Sequence, residues 1–177
     1  MVLLHDLGNP PFGHSGERAI QSWFEGKGNG SSDGPHLFQG FDGEDRLSLQ
    51  CANDFLKFEG NAQTIRLLST LQLVSYQQKY AEYGLNLTCA TFSAACKYVA
   101  PSHELDQQQD KSKKDHAREK PGYFVSENKV IDAVRQVTGT GMHRHPITLL
   151  VEACDDLVYC TGDLEDAVKK GLLFWED

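Results

Sequence analysis

Apolar residues recur at helical spacing along most of this chain, and no alternating apolar–polar run is long enough to build a sheet. Ile20, Trp23 and Phe24 stand at i, i+3 and i+4 after Ser15, which predicts a first helix stopped by Gly26, Gly28 and Gly30. Residues 26–46 are Gly, Ser, Asp and Pro with little apolar content and predict a mobile surface loop. From Asn61 to Tyr80 the spacing of Ile65, Leu68 and Leu71 predicts a long helix, closed by Gly84. Leu87 to Val99 reads as a further helical stretch ended by Pro101, and the polar, charged residues 102–120 as a linker or flexible loop. Phe124–Val137 and Pro146–Ala167 complete the set, with Pro146 suited to a first turn. The expected fold class is all-α, in one domain.

Composition narrows the function classes. The 177 residues, 40% hydrophobic and 24% charged, suit a globular domain. Seventeen Lys and Arg against 25 Asp and Glu leave a formal charge of -8, which gives no indication of broad nucleic-acid binding. No apolar run approaches the roughly 18 residues of a membrane span, and Met1–Leu4 is too short for a signal peptide's apolar region, so a cytoplasmic setting is expected. The five cysteines, Cys51, Cys89, Cys96, Cys154 and Cys160, form no C-x-x-C pair and read as reduced packing residues. Asn86, in the pattern Asn-Leu-Thr, reads as a helix N-cap.

The densest chemistry lies in HDLGNPPFGHSGE, His5 to Glu17. Adjacent imidazole and carboxylate groups can ligate a divalent metal, and the Gly and Pro residues that follow fold His14 back toward His5-Asp6. A hydrolytic metal needs further ligands from other elements, and Asp155-Asp156 offers the best carboxylate. Taking about 100° per residue, Ile147, Leu150, Val151, Cys154, Leu157 and Val158 form one apolar stripe. Asp155 lies on its flank and Asp156 points away, so Asp155 is expected to meet either a metal or a salt-bridge partner. His14 and Glu17 read equally as catalytic groups or as caps of the helix that begins near Ser15.

Three runs carry a family resemblance: His5–Glu17, FEGNAQTIRLLS from Phe58 to Ser69, and VEACDDLVYCTGDLEDA from Val151 to Ala167. Together, and in this order, they resemble the bacterial deoxyguanosinetriphosphate triphosphohydrolase-like proteins of the HD-domain superfamily. Weaker likeness at 87–98, 120–127 and 144–149 extends it over most of the chain. The resemblance implies an all-helical HD fold that hydrolyses a deoxynucleoside triphosphate to deoxynucleoside and inorganic triphosphate, with a divalent cofactor such as Mn or Mg. It implies His5, Asp6 and Asp155 as metal ligands and places His14 and Glu17 beside the scissile phosphate. A polyanionic substrate needs cations, and Lys97 and Lys120 match, with Tyr123 nearby. Tyr159 and Asp163 extend the Asp155 face toward the sugar, and Asn61 is a further substrate contact. Lys111, Lys113 and Lys114 read as a solvated loop face. Homo-oligomers are implied as well.

The family pattern opens with a histidine upstream of the His-Asp pair, for which this chain has no counterpart, and its C-terminal half is not matched. Residues 1–177 are therefore expected to be a partial HD-type domain, truncated at both ends, or a divergent one with an incomplete metal site. Two alternatives stand beside the triphosphohydrolase reading. One is another HD-superfamily nucleotide phosphohydrolase. The other is a regulatory remnant that binds dNTP or oligomerises without turnover.

Overall fold

The structure, a computed structural model, describes residues 4–26, 49–72, 84–107 and 115–174. Six α-helices occur among them: α1 (Gly13–Phe24), α2 (Leu49–Leu56), α3 (Gly60–Arg66), α4 (Cys89–Ala95), α5 (Asn128–Thr138) and α6 (Pro146–Lys169). The only strands among the described residues are two short parallel segments, β1 (Ala100–Pro101) and β2 (Pro121–Tyr123), in register Ala100 to Pro121 and Pro101 to Tyr123. The architecture is all-α, as the periodicity implied. No helix among the described residues is long and apolar enough to cross a membrane.

Ile65 of α3 and Leu68 just after it, Phe92 and Ala95 of α4, Tyr123 of β2, and Ile131 and Val134 of α5 close the main core. The first helix packs on α2 through Phe24 and Phe55, whose ring centroids are 4.8 Å apart. Arg135 fastens α5 to the strand pair: its guanidinium donates to the Val99 carbonyl (2.5 Å) and the Tyr123 hydroxyl (3.3 Å). Asp54 ties α2 to two loops, accepting from Ser102 Oγ (2.6 Å) and the Val125 amide (2.8 Å). The last helix starts at Pro146, its first residue, where His145 Nδ1 caps the Ile147 amide at 3.2 Å. Buried Thr148 then donates to the Ala94 carbonyl (3.1 Å) and pins α6 across α4.

Several expected elements differ. The helix expected over 61–80 is α3 followed by a single π-helical turn, Leu67–Leu71, which ends at extended Gln72; residues 73–80 lie outside the described set. Burial accounts for this, because Ile65 and Leu68 are enclosed while Leu71 is exposed and gains nothing from continuing the turn. The helix expected over 87–99 is shortened to Cys89–Ala95, since the chain then runs out to Ala100–Pro101, which pairs with β2. Thr88, not Asn86, is its N-cap, accepting from the Thr91 amide at 3.2 Å, and Asn86 adopts a positive φ of 51°. Part of the 102–120 loop is ordered as 3-10 turns at Ser102–Gln107 and His116–Arg118. The loop at 26–46 and Lys111, Lys113 and Lys114 fall almost wholly outside the described residues. Cys154 and Cys160 are exposed on α6 rather than packed, while Cys51, Cys89 and Cys96 are partly buried.

The largest departure concerns α6. Ile147, Leu150, Leu157 and Val158 of the expected buried stripe are exposed, and only Val151 is buried. The face turned to the body is Thr148, Val151, Glu152 and Asp155, which recur one turn apart.

Buried Glu127, ahead of α5, accepts from Ser126 Oγ at 2.8 Å through Oε1, while Oε2 has no hydrogen-bond partner among the described residues. Burial outweighs that bond and the nearby Arg66 charge and pushes its pKa up from 4.5. A carboxyl whose folded pKa is raised stabilises below its unfolded pKa, and that contribution is lost as pH rises through the folded value. Glu127→Gln should therefore raise the melting temperature at about pH 7, with the gain fading toward about pH 4. Thermal denaturation of both proteins across that range checks the sign.

Candidate functional site

Residues Leu4–Phe12 form a chain of tight turns, with Leu7 N–H donating to the Leu4 carbonyl (3.4 Å) and Asn9 N–H to that of Asp6 (3.1 Å). The loop is held on the start of α3 by one buried side chain. Thr64 Oγ1 accepts from the Gly8 amide (2.9 Å) and reaches the carbonyls of His5 (3.2 Å) and Gly60 (3.1 Å). Such an approach requires glycine: a Cβ on Gly8 would stand 2.2 Å from both the Gly60 oxygen and the Thr64 nitrogen. A Cβ on Gly60 would meet Asn9 Oδ1 at 2.5 Å and Glu17 Oε1 at 3.0 Å.

This anchoring brings His5 against α6. His5 Nε2 lies 3.0 Å from Asp155 Oδ1 and 3.2 Å from Asp6 Oδ2. The second oxygen of Asp6 accepts from Asn9 Nδ2 at 2.8 Å. Asp155 sits one turn after buried Val151, and Asp156 is exposed. Asp155 thus faces His5 because it shares the inward face of α6, not because an apolar stripe is buried beside it. One imidazole and two carboxylates from two elements suit a divalent ion in donor type. The three are drawn together by hydrogen bonding, and among the described residues no group of three or more His, Cys, Asp and Glu is laid out as a metal cage. Tyr159, one turn beyond Asp155, is exposed, and its pKa is raised by the charges of Asp6 and Asp155, then by slight burial and Asp163. Asp163 is exposed on the next turn.

A second group lies on α1. Phe12, the residue before the helix, makes no side-chain cap, and neither His14 nor Glu17 caps the helix start. Instead His14 Nδ1 meets Glu17 Oε2 at 2.7 Å, and Glu17 Oε1 accepts from the Gly60 amide at 2.8 Å. Burial alone would raise the pKa of Glu17; the His14 and Gly60 bonds and the Lys120 charge together outweigh it and hold the carboxyl below 4.5. His14 is mostly exposed and opens on a cleft of about 580 Å³ lined by Glu17, Arg18, Lys57, Glu59 and Lys120 among others. Lys120 Nζ is 3.4 Å from Glu59 Oε1, and Glu59 caps α3 through the Asn61 (2.6 Å) and Ala62 (3.3 Å) amides. Asn61 turns its side chain back to that same carboxylate at 3.0 Å.

Lys97 forms a third group, 3.8 Å from Glu152 Oε1, whose other oxygen takes Arg144 at 2.7 Å. Half-buried Tyr98 stands among all these acids. Burial, then the charges of Glu59, Glu119, Glu152 and Glu17, push its hydroxyl up to about 12. Tyr123, expected near the anion, is instead a core residue whose hydroxyl meets Arg135. Tyr98, Arg144, Glu152 and Thr64 were not singled out from sequence. Tyr98 had one signal, its place directly after Lys97.

No protein-family model matches the chain. Among curated proteins it is 39% identical, over 97% of its own length, to a deoxyguanosinetriphosphate triphosphohydrolase-like protein of Listeria monocytogenes, covering 33% of that protein. It is 35% identical, over 96% of its length, to the deoxyguanosinetriphosphate triphosphohydrolase of Serratia proteamaculans, covering 34% of it. It is 34% identical, over 99%, to that of an Enterobacter species, covering 35%. The chain thus spans about a third of the length of the curated relatives it matches. Over that third it is a homologue of the deoxyguanosinetriphosphate triphosphohydrolase-like proteins.

Two predictions come from this geometry. Gly8→Ala should destabilise the fold by roughly 1–3 kcal/mol, the range for forced overpacking, because the loop must lift off α3; denaturant unfolding measures it. Glu17 has a lowered folded pKa, so its contribution to stability is full above 4.5 and is lost as pH falls through the lowered value. Between about pH 5 and 3 the melting temperature of the parent should fall more steeply than that of Glu17→Gln.

Proposed function

We propose that this chain carries part of the active site of a metal-dependent deoxynucleoside triphosphate triphosphohydrolase, acting on dGTP or a similar nucleotide to release deoxynucleoside and inorganic triphosphate. The observation that carries the reading is the meeting of His5, Asp6 and Asp155, from a loop and a helix 150 residues apart, on the same loop-to-helix segment that bears the His14–Glu17 pair. Names of homologous proteins support the substrate class.

His5, Asp6 and Asp155 would hold a divalent ion such as Mn or Mg, which when bound supplies Lewis acidity at the phosphorus. The rest falls to side chains. Glu17, anchored on Gly60, orients the His14 ring through Nδ1, so Nε2 is the atom that exchanges a proton at the reacting phosphate. Because Glu17 is held below its ordinary carboxylate range, its oxygen stays an acceptor for the Nδ1 side of the ring. Lys120, at the same cleft, and Lys97, beside α6, offset the charge of the departing triphosphate. Tyr159 presents an exposed ring beside the carboxylates for the deoxyribose, with Asp163 a turn further and Asn61 at the start of α3 as additional polar contacts. The resemblance adds a cytoplasmic setting and homo-oligomeric assembly to the proposal.

The test is chromatographic analysis of dGTP incubated with Mn²⁺ and the intact protein. Deoxyguanosine and intact triphosphate are expected in equal amounts; release of single phosphates would favour a different nucleotide phosphohydrolase. Asp155→Asn should abolish turnover, while Asp156→Asn should retain most of it, and the reverse order would overturn the ligand assignment. His14→Ala should lower kcat by roughly 10²–10⁴-fold with metal affinity, read by calorimetry, nearly unchanged.

A further inference from the structure

One charged cluster joins Lys97, which the resemblance assigns, to two residues it does not, Arg144 and Glu152. Glu152 lies three residues before Asp155 on α6, about 4.5 Å along the axis and on the same inward face. Its carboxylate faces two cations: Arg144 donates to Oε2 at 2.7 Å, and Lys97 Nζ stands 3.8 Å from Oε1. The three groups carry a net charge of +1 on a chain whose formal charge is -8.

We propose that Lys97, Arg144 and Glu152 form one anion subsite, in which the two cations bind the phosphates of the substrate distal to the reacting phosphorus and Glu152 positions them. This rests on the hydrolase reading above, and it adds Arg144 as a phosphate-binding residue and Glu152 as a positioning residue. Three observations carry it. The donors remain available, because the Lys97 ammonium is beyond hydrogen-bond length from Glu152, and Arg144 spends one NH1 donor of a guanidinium that has five N–H groups. The frame is rigid, because Arg144 directly precedes the His145 cap of α6, Lys97 directly follows the end of α4, and the Thr148–Ala94 bond locks those helices together. The location is apt, because Glu152 shares the inward face of α6 with Asp155, one turn further along. An ordinary exposed ion pair would contribute little and needs no special placement. Here Arg144 and Glu152 are 21% and 29% exposed, and the pair is short at 2.7 Å.

The variants separate positioning from simple neutralisation by sign. Removing the Glu152 charge takes a negative group away from a bound anion, so a merely neutralising carboxylate predicts tighter binding in Glu152→Gln. A positioning carboxylate predicts weaker binding despite the charge gain.

The experiment is calorimetric titration of the intact protein with inorganic triphosphate, alongside dGTP kinetics with Mn²⁺. Arg144→Gln should weaken triphosphate binding about 10–100-fold, the range for losing a charge-assisted hydrogen bond. KM should rise in parallel while kcat stays within about threefold. Arg144→Lys, which keeps the charge, should recover most of the affinity and guards against misfolding of the Gln variant. Glu152→Gln should weaken binding, and Glu152→Asp should lie between it and the parent. Affinity within twofold of the parent for Arg144→Gln, or tighter or unchanged binding for Glu152→Gln, overturns the subsite while leaving the hydrolase reading intact. A parent protein that neither binds triphosphate nor releases it from dGTP overturns both.

Discussion

The close contact between the His5–Asn9 loop and the first turn of α3 is the constraint on which the rest of the site depends. Gly8 brings its backbone against that of Gly60 and Thr64 at a distance no side chain there would permit, and Thr64 closes the gap with three polar contacts. His5 is carried by that loop toward α6, and Glu17 uses the exposed Gly60 amide as its anchor. One contact therefore sets both the imidazole–carboxylate cluster and the His14–Glu17 pair. A shift of the loop would misplace both at once, a coupling that additive single-residue reasoning would miss.

An acidic protein with a proposed site for a polyanion must keep its own carboxylates occupied. It does so locally. Glu59 is committed to the α3 amides and Lys120, Glu17 to His14 and Gly60, and Asp54 to Ser102 and Val125. Each bond offsets the cost of removing a charge from water, and the balance differs from one acid to the next. Glu17 ends below its ordinary pKa because hydrogen bonds and a cation combine, whereas Asp54 and Glu127 end above theirs because burial wins. The lowered acid is the one that touches the proposed proton-transfer histidine. An oriented, ionised carboxylate is what that role requires.

Helix α6 organises the opposite wall. Thr148 fixes its position on α4, Val151 adds apolar contact, and Glu152 and Asp155 then present charge to Arg144, Lys97 and His5. One face of one helix thus delivers the anchor to α4, the partner of two cations and the partner of His5 in successive turns. Burial and the charges of Glu59, Glu119, Glu152 and Glu17 together push the Tyr98 hydroxyl up to about 12.

Local pattern sufficed for much of this. Helical periodicity determined the all-α class, Pro146 the start of α6, and the turn-forming glycines and prolines the compactness of the loop that holds His5 and Asp6. Helical phase also separated Asp155 from Asp156, because 100° per residue is a property of the backbone itself. The direction of that helix toward the body was another matter. The apolar residues of α6 suggested that their own stripe was buried, yet the buried side is the one bearing Thr148 and Val151. Which face of a helix meets the protein depends on partners far away in sequence, and those partners are supplied only by folding. The same reason hid Thr64, Tyr98, Arg144 and Glu152. Their chemistry is ordinary until residues separated by tens of positions are brought within about 3–4 Å, the range at which a hydrogen bond or ion pair acts. That distance belongs to the tertiary structure alone.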